Sequence, residues 1–174
     1  LFVTAHIGSW ELLAKYTAQA LDDTLYVLAK PAPYKALTDT LDYLRRLMNL
    51  KVLGINSKTL QKDMIKLIQA NKSIGFVMDQ KPLGNNGFEV LFFNRACEFV
   101  KGPAMLSKLD NTHIIASFLI RESAWTYKII FQDIDKTQYQ TPEQLTQAMA
   151  QAIETIIKLY PEQWTWNYKR WKFN

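Results

Sequence analysis

Cysteine is almost absent from this chain of 174 residues: Cys97 stands alone, which excludes an internal disulfide framework and a cysteine zinc cluster and fits a reducing compartment. Glycine and proline number only six each, and no repeat or low-complexity tract occurs, which argues against a solenoid or a tail attached to a domain. No run of about 18 apolar residues is present, so no segment is expected to span a bilayer. Metal and nucleotide signatures are missing too: no H-E-x-x-H, no clustered Cys or His, no aspartate-rich calcium loop, no phosphate-loop glycine pattern. What is there suits a packed core. Hydrophobic residues make up 48% and aromatic residues 13%, too much for intrinsic disorder, and the length suits one domain. The balance of 21 basic and 16 acidic residues, +5, favours an acidic partner without naming it.

The opening Leu1-Phe2-Val3-Thr4-Ala5 reads as a strand already in progress, with no initiator methionine and no signal peptide. The expectation is one domain, 1–174, taken from a longer protein whose membrane anchor would lie upstream. Further apolar runs at 25–29, 52–55, 73–78, 88–93, 114–120 and 127–134 read as strands, the last two as an antiparallel pair. Helical periodicity falls between them. Trp10, Leu13, Tyr16 or Thr17, and Ala20 form a stripe over 10–21, with Ser9 as its cap, and Leu37, Leu41, Leu44 and Met48 share one face over 35–48. Leu60, Met64, Leu67 and Ile68 form a third helix, and Gly102-Pro103 opens a short one through Leu109. Thr141-Pro142-Glu143-Gln144 is a helix start with cap, first-turn proline and capping-box glutamine, and that helix runs to about Tyr160. Strand and helix alternate, which predicts an α/β fold: a mixed, mostly parallel central sheet flanked by helices, in a single domain.

Of the two histidines, His6 follows a strand at the end where open α/β sheets bind ligands. Glu11 lies five residues on. Five residues along one helix turn through roughly 140° beyond a full circle, so the pair meets only if His6 sits in the turn before the helix and Glu11 in its first turn. A carboxylate on one imidazole nitrogen fixes the tautomer and makes the other nitrogen a better base, so such a dyad could deprotonate a hydroxyl. Spacing alone leaves open a plain turn histidine beside a solvated glutamate. His113 precedes a strand and reads as structural. Asp79, which follows a strand as His6 does, reads either as an acid supporting the site or as a loop carboxylate; Gln80 is its neighbour.

The stretch Thr4-Ala5-His6-Ile7-Gly8-Ser9-Trp10-Glu11-Leu12-Leu13 resembles the H-x4-E block of the bacterial lipid A biosynthesis acyltransferases, the lauroyl/myristoyl transferase family of the lysophospholipid and glycerolipid acyltransferase superfamily. The resemblance continues in order. Asp79-Gln80 looks like the family's pair after a buried strand, and Val90-Leu91-Phe92-Phe93 with Lys101-Gly102-Pro103-Ala104 looks like its V-x-F-F … G-P-A stretch. Pro161-Glu162-Gln163-Trp164-Thr165-Trp166 through Arg170-Trp171-Lys172 looks like its terminal signature. Departures occur at Tyr168, where the family often has His, and at Asn94, where it often has Gly.

The resemblance implies an enzyme that moves a fatty acyl chain from an acyl carrier protein thioester to a hydroxyl of a lipid A precursor. His6 would be the general base and Glu11 its partner; no metal and no cofactor beyond the donor's pantetheine arm is implied. Backbone N–H groups from Gly8 to Trp10 are candidates for an oxyanion hole. Arg45 and Arg46 fall where the family carries an arginine that holds acidic substrate groups; helix-end charges complementing the dipole are the other reading. Asp79 and Gln80 would support substrate binding. Trp164, Trp166, Tyr168, Trp171 and Phe173, interleaved with Lys169, Arg170 and Lys172, suit a closing segment near an anionic membrane. The implied setting is the cytoplasmic face of the bacterial inner membrane, with no nucleic acid as partner. Two other readings stay open: a glycerophospholipid acyltransferase using a CoA thioester, whose usual motif has Asp where Glu11 stands, and a non-catalytic basic domain that binds membranes.

Overall fold

The computed structural model describes residues 1–171. In order, its elements are β1 (Phe2–Thr4), α1 (Trp10–Leu21), β2 (Leu25–Ala29), α2 (Lys35–Leu47), β3 (Leu50–Gly54), α3 (Leu60–Gln69) and β4 (Ser73–Val77). Then come β5 (Gly87–Phe92), β6 (Arg95–Val100), α4 (Gly102–Leu106), β7 (Ile115–Arg121), β8 (Tyr127–Asp133) and α5 (Pro142–Leu159). The chain divides into two compact units, Leu1–Trp10 with Val77–Asn174, and Glu11–Phe76.

In the Glu11–Phe76 unit, β2 runs between β3 and β4 and parallel to both, with Leu25 opposite Leu50 and Ser73. Parallel strands need crossover connections, and α2 and α3 supply them. The buried set is Leu25, Leu50, Ile74 and Phe76 from the strands, Leu13, Thr17 and Ala18 from α1, and Met64 and Ile68 from α3. The α1 stripe therefore runs through Thr17; Tyr16 is exposed, and Ala20 is exposed against expectation because Ala18 takes the inward position. On α2, no side chain is buried: Leu37 and Leu44 are each 46% exposed although they share the predicted face.

In the other unit, β1 pairs parallel with β7 (Phe2 opposite Ile115), and β7 pairs antiparallel with β8 from Ile115–Asp133 to Arg121–Tyr127. A separate antiparallel hairpin joins β5 and β6. Strand β6 is not among the expected elements. Its two-residue turn is Phe93-Asn94 with φ of +51° and +56°, the left-handed pair that a tight hairpin requires and that Asn-Gly usually supplies. Packing overrides the preference of a phenylalanine here. The Phe93 N–H donates to the Glu154 carboxylate at 2.7 Å, and its ring stacks on Trp164 at 6.0 Å. Helix α5 packs on β5 and meets β6, β7 and α4, burying Leu145, Met149, Ile153, Ile156 and Ile157. It opens on the predicted capping box: Thr141 Oγ1 accepts from Gln144 N–H at 3.3 Å, and the Gln144 amide oxygen accepts from the Thr141 backbone.

Six strands in mostly parallel, mixed pairing, flanked by helices, make the fold α/β as the alternation predicts. Among the described residues no helix is long and apolar enough to cross a membrane.

Candidate active site

His6 stands just beyond the C-terminal end of β1, where the chain must turn sharply. Ile7 N–H returns to the Ala5 carbonyl at 2.8 Å, and Gly8 adopts φ +56°. A Cβ on Gly8 would stand 2.0 Å from the Leu119 carbonyl oxygen, so both the backbone angle and the close approach require glycine. Gly8 N–H donates to the Gln163 carbonyl at 3.0 Å and Ser9 N–H to the Leu119 carbonyl at 3.2 Å. Those two donors are therefore spent on the fold, which corrects the expectation that they help form an oxyanion hole.

The imidazole is held by Asp79. Its Nδ1 lies 2.7 Å from Asp79 Oδ1, and the His6 backbone N–H donates to Asp79 Oδ2 at 3.0 Å. Asp79 follows β4 and is only 3% exposed. A third donor, Trp164 Nε1–H, reaches Oδ2 at 2.8 Å. Three donors satisfy a carboxylate that would be costly to hold in the interior without them. An ionised carboxylate only accepts, so this network assigns the neutral ring's proton to Nδ1. Nε2 makes no hydrogen bond among the described residues, and the side chain is 22% exposed. The Trp10 ring meets the imidazole edge-on at 5.0 Å.

The terminal motif fastens this turn. Thr165 donates twice to the His6 carbonyl, from its N–H at 3.0 Å and its hydroxyl at 2.9 Å. Ile7 and Trp164 form an isolated antiparallel bridge, and the Gln163 side chain bonds both backbone groups of Arg121. Sequence reading places Trp164 in an aromatic closing stretch and misses its bond to Asp79, because nothing within that segment encodes a partner 85 positions away. Trp164 and Arg170 are buried and Trp166 is 57% exposed; Lys172 and Phe173 lie outside the described residues.

Glu11, in the first turn of α1, accepts from the fork of Arg45: Nη2 at 2.5 Å and Nε at 3.3 Å. That hydrogen bond raises the Arg45 guanidinium pKa above its ordinary value, while burial opposes it. Asp42, one turn earlier on α2, adds a weaker pairing at 3.7 Å. Nδ1 of His6, the nitrogen an orienting carboxylate takes, is bonded to Asp79, and the carboxylate of Glu11 is bonded to Arg45. Arg46 and Gln80 are exposed, with no side-chain hydrogen bond or ion pair among the described residues. No group of three or more His, Cys, Asp or Glu that could hold a metal ion occurs among those residues.

No curated protein matches the chain. The family model for the bacterial lipid A biosynthesis acyltransferases matches residues 1–173, nearly the entire sequence and every residue of the His6–Asp79–Trp164 arrangement. By that match the chain belongs to the bacterial lipid A biosynthesis acyltransferase family.

Proposed function

We propose that this protein transfers a fatty acyl chain from an acyl carrier protein thioester to a hydroxyl of a lipid A precursor, with His6 as general base. The observation that carries the reading is the His6 Nδ1 contact with buried Asp79, which leaves Nε2 unbonded on a partly exposed ring. Nε2 takes the proton of the acceptor hydroxyl as its oxygen attacks the thioester carbonyl. The C–S bond then breaks, and the departing thiolate takes the proton from Nε2. Asp79 holds the tautomer and stabilises the imidazolium formed between the two steps. No acyl-enzyme is required, so Cys97 has no nucleophilic part, and no cofactor enters beyond the donor itself.

Glu11 and Arg45 form a charge pair that keeps a guanidinium ordered, and Arg46 adds a second cation; both suit acidic groups on substrate. Asp79 and Gln80 follow β4, Asp79 as the orienting acid and Gln80 as an exposed neighbour that suits contact with substrate. The family's acceptor belongs at the bacterial inner membrane, and an excess of basic residues suits its anionic cytoplasmic face.

The test is transfer by the purified protein with acyl carrier protein and CoA thioesters compared in one assay. His6→Ala should abolish transfer while circular dichroism stays unchanged, and the carrier-protein thioester should be the better donor. Substantial turnover by His6→Ala would overturn the assignment of the base; preference for CoA would move the donor. Mass spectrometry of lipid A from cells lacking and regaining the protein would give acceptor position and chain length.

A further inference from the structure

Helix α2 presents its amphipathic pattern in the reverse of the usual sense, in which the apolar stripe faces the core. At ~100° per residue, Leu37, Tyr43, Leu44 and Leu47 fall on one side of the helix and Thr38, Asp42 and Arg45 on the other. The polar side is the one that meets the rest of the Glu11–Phe76 unit. Arg45 bonds Glu11 of α1 at 2.5 Å, and Thr38 Oγ1 accepts from the Ala32 N–H at 3.0 Å. Thr38, Asp42 and Arg45 are half-buried, whereas Leu37, Tyr43 and Leu44 are exposed and Leu47 is 68% exposed. Helix α3 in the same unit follows the usual sense, with Met64 and Ile68 buried.

A single exposed leucine needs no explanation, but four apolar side chains on adjoining turns of one helix form a patch that marks a contact surface. The residues around it state the chemistry of the partner. Tyr34, at the N-cap, is 75% exposed, and Tyr43 lies on the apolar side; rings with an apolar body and a polar tip suit the boundary between water and lipid. From Lys30 to Lys51 the chain carries five basic residues against two acidic ones. Arg45 is held by Glu11 and Asp42, and Lys35 by Asp39. Lys30 before the helix, Arg46 in its last turn and Lys51 after it are exposed, the last 5.8 Å from the Tyr26 ring centroid. Leucines and tyrosines along one side, with cations at both ends, are the make-up of a helix that lies in the plane of an anionic bilayer.

We propose that α2 is a membrane-docking helix, which lays Leu37, Tyr43, Leu44 and Leu47 among the headgroups and upper acyl chains of an anionic bilayer. The claim names the surface for the membrane setting proposed above and rests on that setting, whereas the docking itself needs no acyl transfer. It gives the reversed pattern a reason: the body of the unit supplies partners for the polar side, and the bilayer supplies them for the apolar one.

Vesicle flotation with the purified chain tests it, using phosphatidylcholine mixed with phosphatidylglycerol and phosphatidylcholine alone. Binding to the mixed vesicles is expected, weaker on phosphatidylcholine alone and weakened by added salt. Leu44→Gln combined with Leu47→Gln, both exposed and so outside the core, should lower binding about tenfold or more, since binding scales with the apolar area buried. Leu44→Phe combined with Leu47→Phe should keep it. An environment-sensitive fluorophore on Leu44→Cys, in a Cys97→Ser background, should shift to the blue with mixed vesicles, and the same label on Lys62→Cys of α3 should not. His6→Ala should bind as the unmodified protein does, so failure of the catalytic assignment and failure of this one are separable. No binding to the mixed vesicles, binding unchanged in the double glutamine variant, or no blue shift from the label on α2 would each overturn the proposal. So would a dimer in solution that the double glutamine variant dissolves, which would assign the face to a second copy of the chain.

Discussion

Trp164 donates its indole N–H to Oδ2 of Asp79 at 2.8 Å, across 85 positions of sequence. The same oxygen accepts the backbone N–H of His6. One carboxylate thereby sets the position of the His6 backbone and, through its other oxygen, the tautomer of the ring, and an indole sets the position of the carboxylate.

Asp79→Asn keeps the shape of this arrangement and loses the charge. An amide can present its NH2 to Nδ1 and leave the proton on Nε2, the wrong nitrogen for a base. A fall in kcat of about 10⁴-fold is expected, as for the equivalent change in a serine-protease triad. Trp164→Phe removes one donor to a charged group, for about 1.5–3 kcal/mol of stability, with a smaller loss of kcat. Steady-state transfer with urea unfolding checks both; an Asp79→Asn enzyme at full rate would remove the orienting role.

Gly8→Ala combines a left-handed backbone angle with a Cβ placed 2.0 Å from backbone oxygen. The left-handed penalty alone is about 1–2 kcal/mol, and the Leu119 carbonyl has no flexible end that can yield. Destabilisation above about 2 kcal/mol is expected, together with loss of activity from displacement of the His6 turn. Thermal unfolding measures it, and a Gly8→Ala variant as stable as the parent would mean that the turn relaxes freely.

Glu11 and Arg45 invite a double-mutant cycle. Arg45 is 14% exposed and Glu11 43%, so the pair is neither a surface bridge nor a fully buried one. A coupling energy of about 1–2 kcal/mol is expected for Glu11→Gln with Arg45→Met, between the surface and buried ranges. Arg45→Lys should recover less than half of it, because a lysine cannot present two parallel donors. Coupling near zero would show that the two side chains act independently.

Burial pushes the Cys97 thiol above its ordinary pKa, against smaller opposing effects that include Arg170 and Trp171. The thiolate is the reactive form, so iodoacetamide labelling of the folded protein should rise with pH at a midpoint above the free-thiol value of about 8.5. In urea the midpoint should return to that value. Because the folded pKa is the higher one, the thiol's contribution to stability is complete below the unfolded pKa and is lost as pH rises through the folded pKa. Labelling of the native protein at the free-thiol rate at about pH 8, followed by mass spectrometry, would contradict this.

Local chemistry is legible in the sequence wherever it is enough to decide structure. Thr141 and Gln144 close their capping box as their spacing requires, and β2, β3 and β4 pair in parallel as the alternation of elements implies. His6 and Asp79 can each be picked out at a strand end. Their direct bond cannot, because 73 residues separate them and no pattern within either segment encodes the meeting. Strand β6 is hidden for the opposite reason: Phe93 contradicts the local rule for a tight turn, and only its contacts with Trp164 and Glu154 explain why it is tolerated. The leucines of α2 show a helical period and do form a helix, but a period does not say whether a face is covered.

The hydrogen bonds from Thr165 to the His6 carbonyl span 159 residues. During translation, a nascent chain therefore exposes its histidine well before the residues that secure it. The ribosome must deliver everything between before the imidazole can settle into working order, so a prematurely terminated product would carry the base without the means to aim it.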